Sequence, residues 1–257
     1  MASQHDPAEL RPDIAGRGGL AAALRAEAEE GGFLLPVTTS SDDPLTGAAV
    51  GSRLPHRNAL QVKASESGRE WWIRGADTSQ GMPLVEGLAR EFGQLVSAAR
   101  AWHEGASLSD IRRAAPFVRL TDRFEVPDGD PALLTESEWR GLRNEARTVV
   151  VPGYRALVEE AYAVPALRAL YPFRMRWALC FSTTTRPDLT VTGVRLRAYD
   201  IDEFTVTEDL VGGGGLAVTA TAREAVAVAV RHLPSGLGPV RSGASGRPPD
   251  GPPSGTQ

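Results

Sequence analysis

The chain has one cysteine, Cys180, and one lysine, Lys63, in 257 residues. A lone cysteine excludes an internal disulfide framework and a zinc knuckle, and it fits a reducing compartment, here expected to be the cytoplasm. With lysine all but missing, the other 27 of the 28 basic residues are arginine. Heavy use of Ala, Gly and Arg together is how a GC-rich coding sequence reads, so arginine abundance alone carries no functional weight. Charged or glycine residues interrupt every apolar run well short of the roughly 20 residues of a membrane-spanning helix. The start, Met1 to Pro7, lacks a basic stretch followed by an apolar one, so no signal peptide is expected. A net charge of -4 and a sequence pI near 5.7 provide no global positive field for nucleic acid or an anionic membrane.

Signature chemistry is also missing. His5, His56, His103 and His232 are isolated in sequence, and no Gly-x-Ser-x-Gly elbow, Walker loop or His-Glu-x-x-His occurs. Gly16 to Ala21 and Gly212 to Ala217 fit Gly-x-Gly-x-x-Gly/Ala. The first has no apolar strand before it, and the second lies between predicted strands, so neither reads as a dinucleotide fingerprint. No cofactor and no metal site is expected.

What is present is a strong alternation from Phe173 to Ser182. Phe173, Met175, Trp177, Leu179 and Phe181 take one side, and Arg174, Arg176, Ala178, Cys180 and Ser182 the other. Period two predicts a β-strand with one face on a core and the other toward water or a ligand. Leu60 to Ala64 and Glu70 to Arg74 predict a hairpin in which Trp71 and Trp72 face opposite ways. The far-face tryptophan is expected to lie under a second packing layer, the commoner fate of tryptophan, rather than to form a ligand platform; a third functional reading, an interaction module using this hairpin, would require an exposed apolar patch there.

Helices are predicted at Leu20 to Glu30, stopped by Gly31-Gly32, and along Val85, Leu88, Phe92, Leu95, Ala99 and Trp102, whose spacing alternates between three and four. Ser107 to Asp110 and Thr135 to Glu138 have the form of capping boxes. A further helix runs from Pro152 to Tyr162, with a last turn over Pro165 to Leu170. Extended structure is expected at Phe33 to Thr38 and Phe117 to Val126. After Pro187 the apolar phase shifts at Gly193, the mark of a β-bulge. Strands at Phe204 and Val206 and at Leu216 and Val218 follow, and Thr221 caps a closing helix. The fold class is therefore α+β, with mainly antiparallel sheets packed with helices and a C-terminal four-stranded sheet under a closing helix. The expected divisions are an N-terminal segment with helix (1–32), an α+β part (33–130), a second α+β part (131–233) and a disordered Pro/Gly-rich tail (234–257).

The candidate site is the polar face of that C-terminal sheet. If the strands pair as a meander, Arg174, Arg176, Arg195 and Arg197 share one face with Ser182, Thr205, Thr207 and Thr219, a set able to grip a phosphate or carboxylate. The competing expectation is a solvated face whose arginines pair with Asp200, Asp202, Glu203 or Glu208. Cys180 lies on the same face, where Arg176 could lower its pKa, although a free cysteine is more often a small packing residue.

Leu170-Tyr-Pro-Phe173 with Trp177 to Thr184 resembles an actinobacterial family of uncharacterised proteins labelled as natural-product biosynthesis proteins. Gly153 to Ala161, Trp102 to Leu108 ahead of Pro116-Phe117, and the end of the closing helix through His232-Leu-Pro234 are similar to it as well. The resemblance spans about Leu60 to Pro239 and rests on core and turn residues. It implies a cytoplasmic protein of specialised metabolism and carries no catalytic set. The functional expectation is an accessory or binding protein for a biosynthetic protein or small molecule. The alternative is a tailoring enzyme whose site is assembled from distant residues. A closed pocket holding Arg174, Arg176 and a titratable group such as His103 or Glu208 would favour the enzyme, and an open arginine face would favour partner binding.

Overall fold

The computed structural model describes residues 12–41, 43–65, 70–208 and 214–243. The chain divides into two compact units, Met1–Pro127 and Asp128–Gln257. Both combine helices with antiparallel sheet, an α+β organisation.

In the first unit α1 (Pro12–Gly16) and α2 (Leu20–Glu30) precede β1 (Val37–Thr39), β2 (Gly47–Val50), β3 (Leu60–Ala64), β4 (Trp71–Ala76) and β5 (Pro83–Ala89). Then come α3 (Phe92–Glu104), α4 (Leu108–Ala114) and β6 (Val118–Leu120). The six strands pair in sequence order, all antiparallel. Leu60, Val62, Ala64, Trp71 and Ile73 point into one core with Leu20, Leu24, Leu95, Ala99 and Trp102 of the helices. The opening segment is thus part of this unit, because α2 buries Leu20, Leu24 and Ala28 in the same core.

The stripe from Val85 to Trp102 is divided between a strand and a helix. Leu84, Val85 and Ala89 are buried in β5 whereas Leu88 is exposed, and helix begins only at Phe92. Five- to seven-residue apolar segments satisfy both periods, and the long-range pairing with β4 decides the outcome. Trp71 is buried, edge-on to Phe92 at 5.3 Å between ring centroids. Trp72, opposite Leu88, is 39% exposed, so the expected second layer does not cover it. Of Phe117 to Val126 only Val118–Leu120 is strand.

The second unit begins with α5 (Pro131–Thr148), α6 (Tyr154–Ala163) and α7 (Pro165–Arg168). Asp130, not Thr135, caps α5. Its side chain accepts the Leu133 amide and Pro131 fills the first turn, while the Thr135 hydroxyl donates back to the Pro131 carbonyl. Next come β7 (Tyr171–Met175), β8 (Ala178–Ser182), β9 (Thr184–Pro187), β10 (Val191–Ala198), β11 (Phe204–Thr207), β12 (Gly215–Thr219), α8 (Ala222–Arg231) and β13 (Arg241–Gly243). The main sheet has five strands in the order β12-β11-β10-β8-β7. Trp139, Leu142, Tyr154, Leu157 and Val226 of the helices cover one face, against Leu179, Phe181, Leu196, Phe204 and Val206. Gly193, at φ 86, lies in the register shift between Val191 and Arg195, where the phase change predicts a bulge. Thr221 and Glu224 form a reciprocal capping box on α8.

The alternation from 173 to 182 is not one strand but a hairpin. Met175 pairs with Ala178, leaving a two-residue turn of Arg176 and Trp177 at φ 46 and 66. Such a turn pairs odd-numbered residues of β7 with even-numbered residues of β8, so the two halves swap faces. Phe173 opposes Cys180, and Arg174 opposes Leu179. Tyr171, Phe173, Ala178 and Cys180 form a small core on the second face with Leu189, Val191 and Val240. The tail expected to be disordered from 234 is therefore in part structured. Val240 packs into that core and β13 runs parallel to β9. Only glycine fits at 243, where a Cβ would stand 1.8 Å from the Thr185 carbonyl oxygen. Residues 244–257 lie outside the described residues, as do Gly212 and Gly213 of the Gly212 to Gly215 joint.

Candidate functional site

The hairpin disperses the residues expected to share one polar face. Arg174 lies on the helix-covered side, where its Nε reaches Glu145 Oε1 of α5 at 2.8 Å and its guanidinium stacks 4.4 Å above the Trp177 ring. Arg176 is in the turn, its side chain exposed. Arg195 and Arg197 do share the second face with Thr205 and Thr207, through the registers Arg195↔Thr207 and Arg197↔Thr205. Thr219 is opposite Phe204 and so lies on the helix side. Ser182 is fully buried, and its hydroxyl accepts the Thr184 amide and contacts the Thr184 and Thr190 carbonyls. The eight residues are thus not one anion grip.

Cys180 is also fully buried, and burial pushes its thiol up to about 11, against the smaller lowering effect of Arg195. A thiol so far above neutrality is a packing group and not a nucleophile.

The geometry instead concentrates exposed aromatic surface at one end of the sheet. Arg197 Nη2 donates to the Arg176 carbonyl at 2.6 Å, which ties the β7–β8 turn to the end of β10. Met175 and Trp177, each 40% exposed, stand at the first turn, and Tyr199 (55%) and Ile201 (73%) stand in the adjacent β10–β11 turn. Trp177 meets the buried Tyr154 ring edge-on at 6.3 Å and Arg174 caps it. Tyr199 accepts a hydrogen bond from Arg197 at 3.1 Å, and the same guanidinium lies 5.2 Å from its ring. The Tyr199 amide closes the second turn on the Glu203 carbonyl at 2.9 Å. That turn rests on the start of α6, since a Cβ at Gly153 would be 2.4 Å from the Asp200 carbonyl oxygen. Rings held on hydrogen-bonded turns with arginines beside them have the composition of interaction hot spots, where Trp, Tyr and Arg dominate.

Each unit also carries an open cleft. In the first, Arg25 and Glu29 of α2, Leu34, Pro36, Arg53 and His103 surround about 420 Å³. In the second, Glu136, Arg168 and Val240 are among the residues around about 380 Å³. Tyr162 donates to Glu136 at 3.3 Å, and the Arg168 guanidinium lies 5.5 Å from the Tyr162 ring, so these polar groups of the cleft are already engaged.

A third cluster serves stability. Arg57, almost completely buried, presents its fork to Glu125, Nε to Oε1 at 2.6 Å and Nη2 to Oε2 at 2.9 Å, and also donates to the Ala106 carbonyl. His56 Nε2 lies 3.0 Å from the same carboxylate, and the Trp102 ring lies 4.7 Å from the guanidinium. The arrangement pins the segment after β6 to the loop before β3. Among the described residues no group of three or more His, Cys, Asp or Glu could hold a metal ion.

Residues 133–244, less than half of the chain, match the model of a family of unknown function (DUF6193). No curated protein and no solved structure matches the chain. The matched segment contains the hairpin, both turns and the helices behind them.

Sequence reasoning missed Trp177, Tyr199 and Ile201. Trp177 fitted the apolar stripe of a single strand, because Arg-Trp carries none of the Asn-Gly chemistry that marks a two-residue turn. The available signal was the pair of arginines flanking Met175 and adjoining Trp177. Such cations suit a turn better than a strand buried on both sides.

Proposed function

We propose that the protein is a non-catalytic accessory or binding protein that docks a protein partner on the sheet end built from Met175, Trp177, Tyr199 and Ile201. The carrying observation is the turn itself. A bulky arginine and a tryptophan occupy two consecutive left-handed positions, where glycine or asparagine would cost least. Strain of this kind is retained where surrounding structure and use require it, and here it presents an aromatic ring held between Arg174 and Tyr154. The two turns are open and not enclosed, which supports partner binding over a tailoring enzyme.

The resemblance of Leu170 to Phe173 and Trp177 to Thr184 to natural-product biosynthesis proteins supports a biosynthetic protein as the partner and an actinobacterial source. The single buried thiol supports action in the cytoplasm. No helix of the described residues is long and apolar enough to cross a membrane.

Native mass spectrometry of the full chain after incubation with host lysate tests the reading. A partner retained by the native protein should be lost from the Trp177→Ala/Tyr199→Ala double variant, with affinity reduced by at least about tenfold. Equal retention by both proteins would remove the sheet end from consideration.

A further inference from the structure

The cleft of the first unit carries an inference beyond partner docking. Its polar groups come from three separate places: Arg25 and Glu29 on α2, Arg53 on the loop after β2, and His103 at the end of α3. Arg25 and Glu29 stand one helical turn apart, yet the only polar contact the Arg25 guanidinium makes among the described residues is a long one, Nε to the Val37 carbonyl at 3.4 Å. Neither joins the ion pairs formed around them by Arg17 with Glu27 and by Arg100 with Glu104. Arg53 is fixed through its backbone, whose amide donates to the His103 carbonyl at 3.0 Å, and its exposed side chain lines the cleft. His103 is oriented too. Its Nδ1 lies 2.8 Å from the Gly51 carbonyl oxygen, which can only accept, so Nδ1 carries the proton and Nε2 is left to a ligand.

The lining therefore offers two guanidinium forks, one oriented imidazole, one carboxylate and the exposed apolar surface of Leu34 and Pro36. Two arginines suit a carboxylate or phosphate bidentately. Glu29 beside them decides between those anions, since it repels a dianion and attracts an ammonium group. About 420 Å³ is within the size range of small-metabolite sites. We propose that this cleft binds a zwitterionic carboxylate of the amino-acid class, with the carboxylate on Arg25 and Arg53, the ammonium on Glu29 and an apolar side chain against Leu34 and Pro36.

Isothermal titration calorimetry of the full chain, with L-leucine and L-phenylalanine as probes, tests this. At least one should bind saturably below roughly 10 mM, and Arg53→Ala, an exposed change that leaves the core intact, should weaken it about tenfold or more. The deaminated analogue 4-methylpentanoate should bind more weakly than L-leucine to the native protein, and Glu29→Gln should abolish that preference. Lack of saturable binding by both amino acids overturns the proposal. So does inorganic phosphate binding as tightly as they do, or amino-acid affinity unchanged in Arg53→Ala. Trp177→Ala/Tyr199→Ala should leave amino-acid binding intact, so failure of this proposal and failure of the docking surface are separately visible.

Discussion

Single residues in this chain acquire their roles from partners that local sequence does not display. Arg57 and Glu125 are 68 positions apart, and nothing near either one indicates the other. Burial would raise the Glu125 carboxyl, but hydrogen bonds and charge from Arg57, and then from His56, outweigh it and hold the group below the ordinary 4.5 of glutamate. A folded-state value below the unfolded one means that the unfolded chain binds the proton more readily. The stabilisation is therefore complete above the glutamate range and is lost as pH falls through 4.5 toward the folded value. Denaturant titrations of Glu125→Gln should show a shallower stability loss between about pH 5 and pH 3 than the native protein, and an acid limb of unchanged slope would contradict the clasp. Arg57→Met should cost about 3 kcal/mol at neutral pH, because it strands a partly buried carboxylate. Cys180 illustrates the opposite case. A fully buried thiol raised to about 11 should be inert to a thiol reagent at pH 8 and should react only once the protein unfolds. Rapid labelling of the folded protein would refute its role as packing.

At the scale of elements, helices whose stripe stays within one segment were legible, whereas the stripe from Val85 to Trp102 runs across a strand and a helix. The stripe of Tyr154, Leu157, Val158 and Ala161 and the cap at Thr221 are realised as read, because both depend on spacing within one segment. The β3–β4 hairpin and the bulge at Gly193 were legible for the same reason. Strand boundaries were not. Phe173 to Ser182 alternates without a break, and only the turn conformation of Arg176 and Trp177 shows that its two halves belong to different strands. That one reversal moves Arg174 to the helix side and dissolves the expected arginine face. The exposed Arg176 side chain offers a direct check. Arg176→Asn keeps the carbonyl that Arg197 uses while easing a left-handed residue, and it should raise stability by roughly 0.5 to 1 kcal/mol in thermal unfolding. A loss of stability would show that the turn is not strained at this position.

At the scale of the molecule, the α+β class and the helix-covered C-terminal sheet were readable from composition and patterning, whereas the candidate sites were not. Each depends on segments brought side by side by long-range hydrogen bonds: the β7–β8 and β10–β11 turns through Arg197 and the Arg176 carbonyl, and the first-unit cleft through the Arg53 amide and the carbonyl of His103 in α3. These contacts join residues 21 and 50 positions apart, beyond the reach of any motif. The most direct measurement is hydrogen exchange of the full chain, alone and with the partner it retains from host lysate. Docking on the sheet end predicts added protection confined to Arg174 to Ala178 and Arg197 to Glu203. Protection on β11, the strand carrying Thr205 and Thr207, with both turns unchanged, would contradict it.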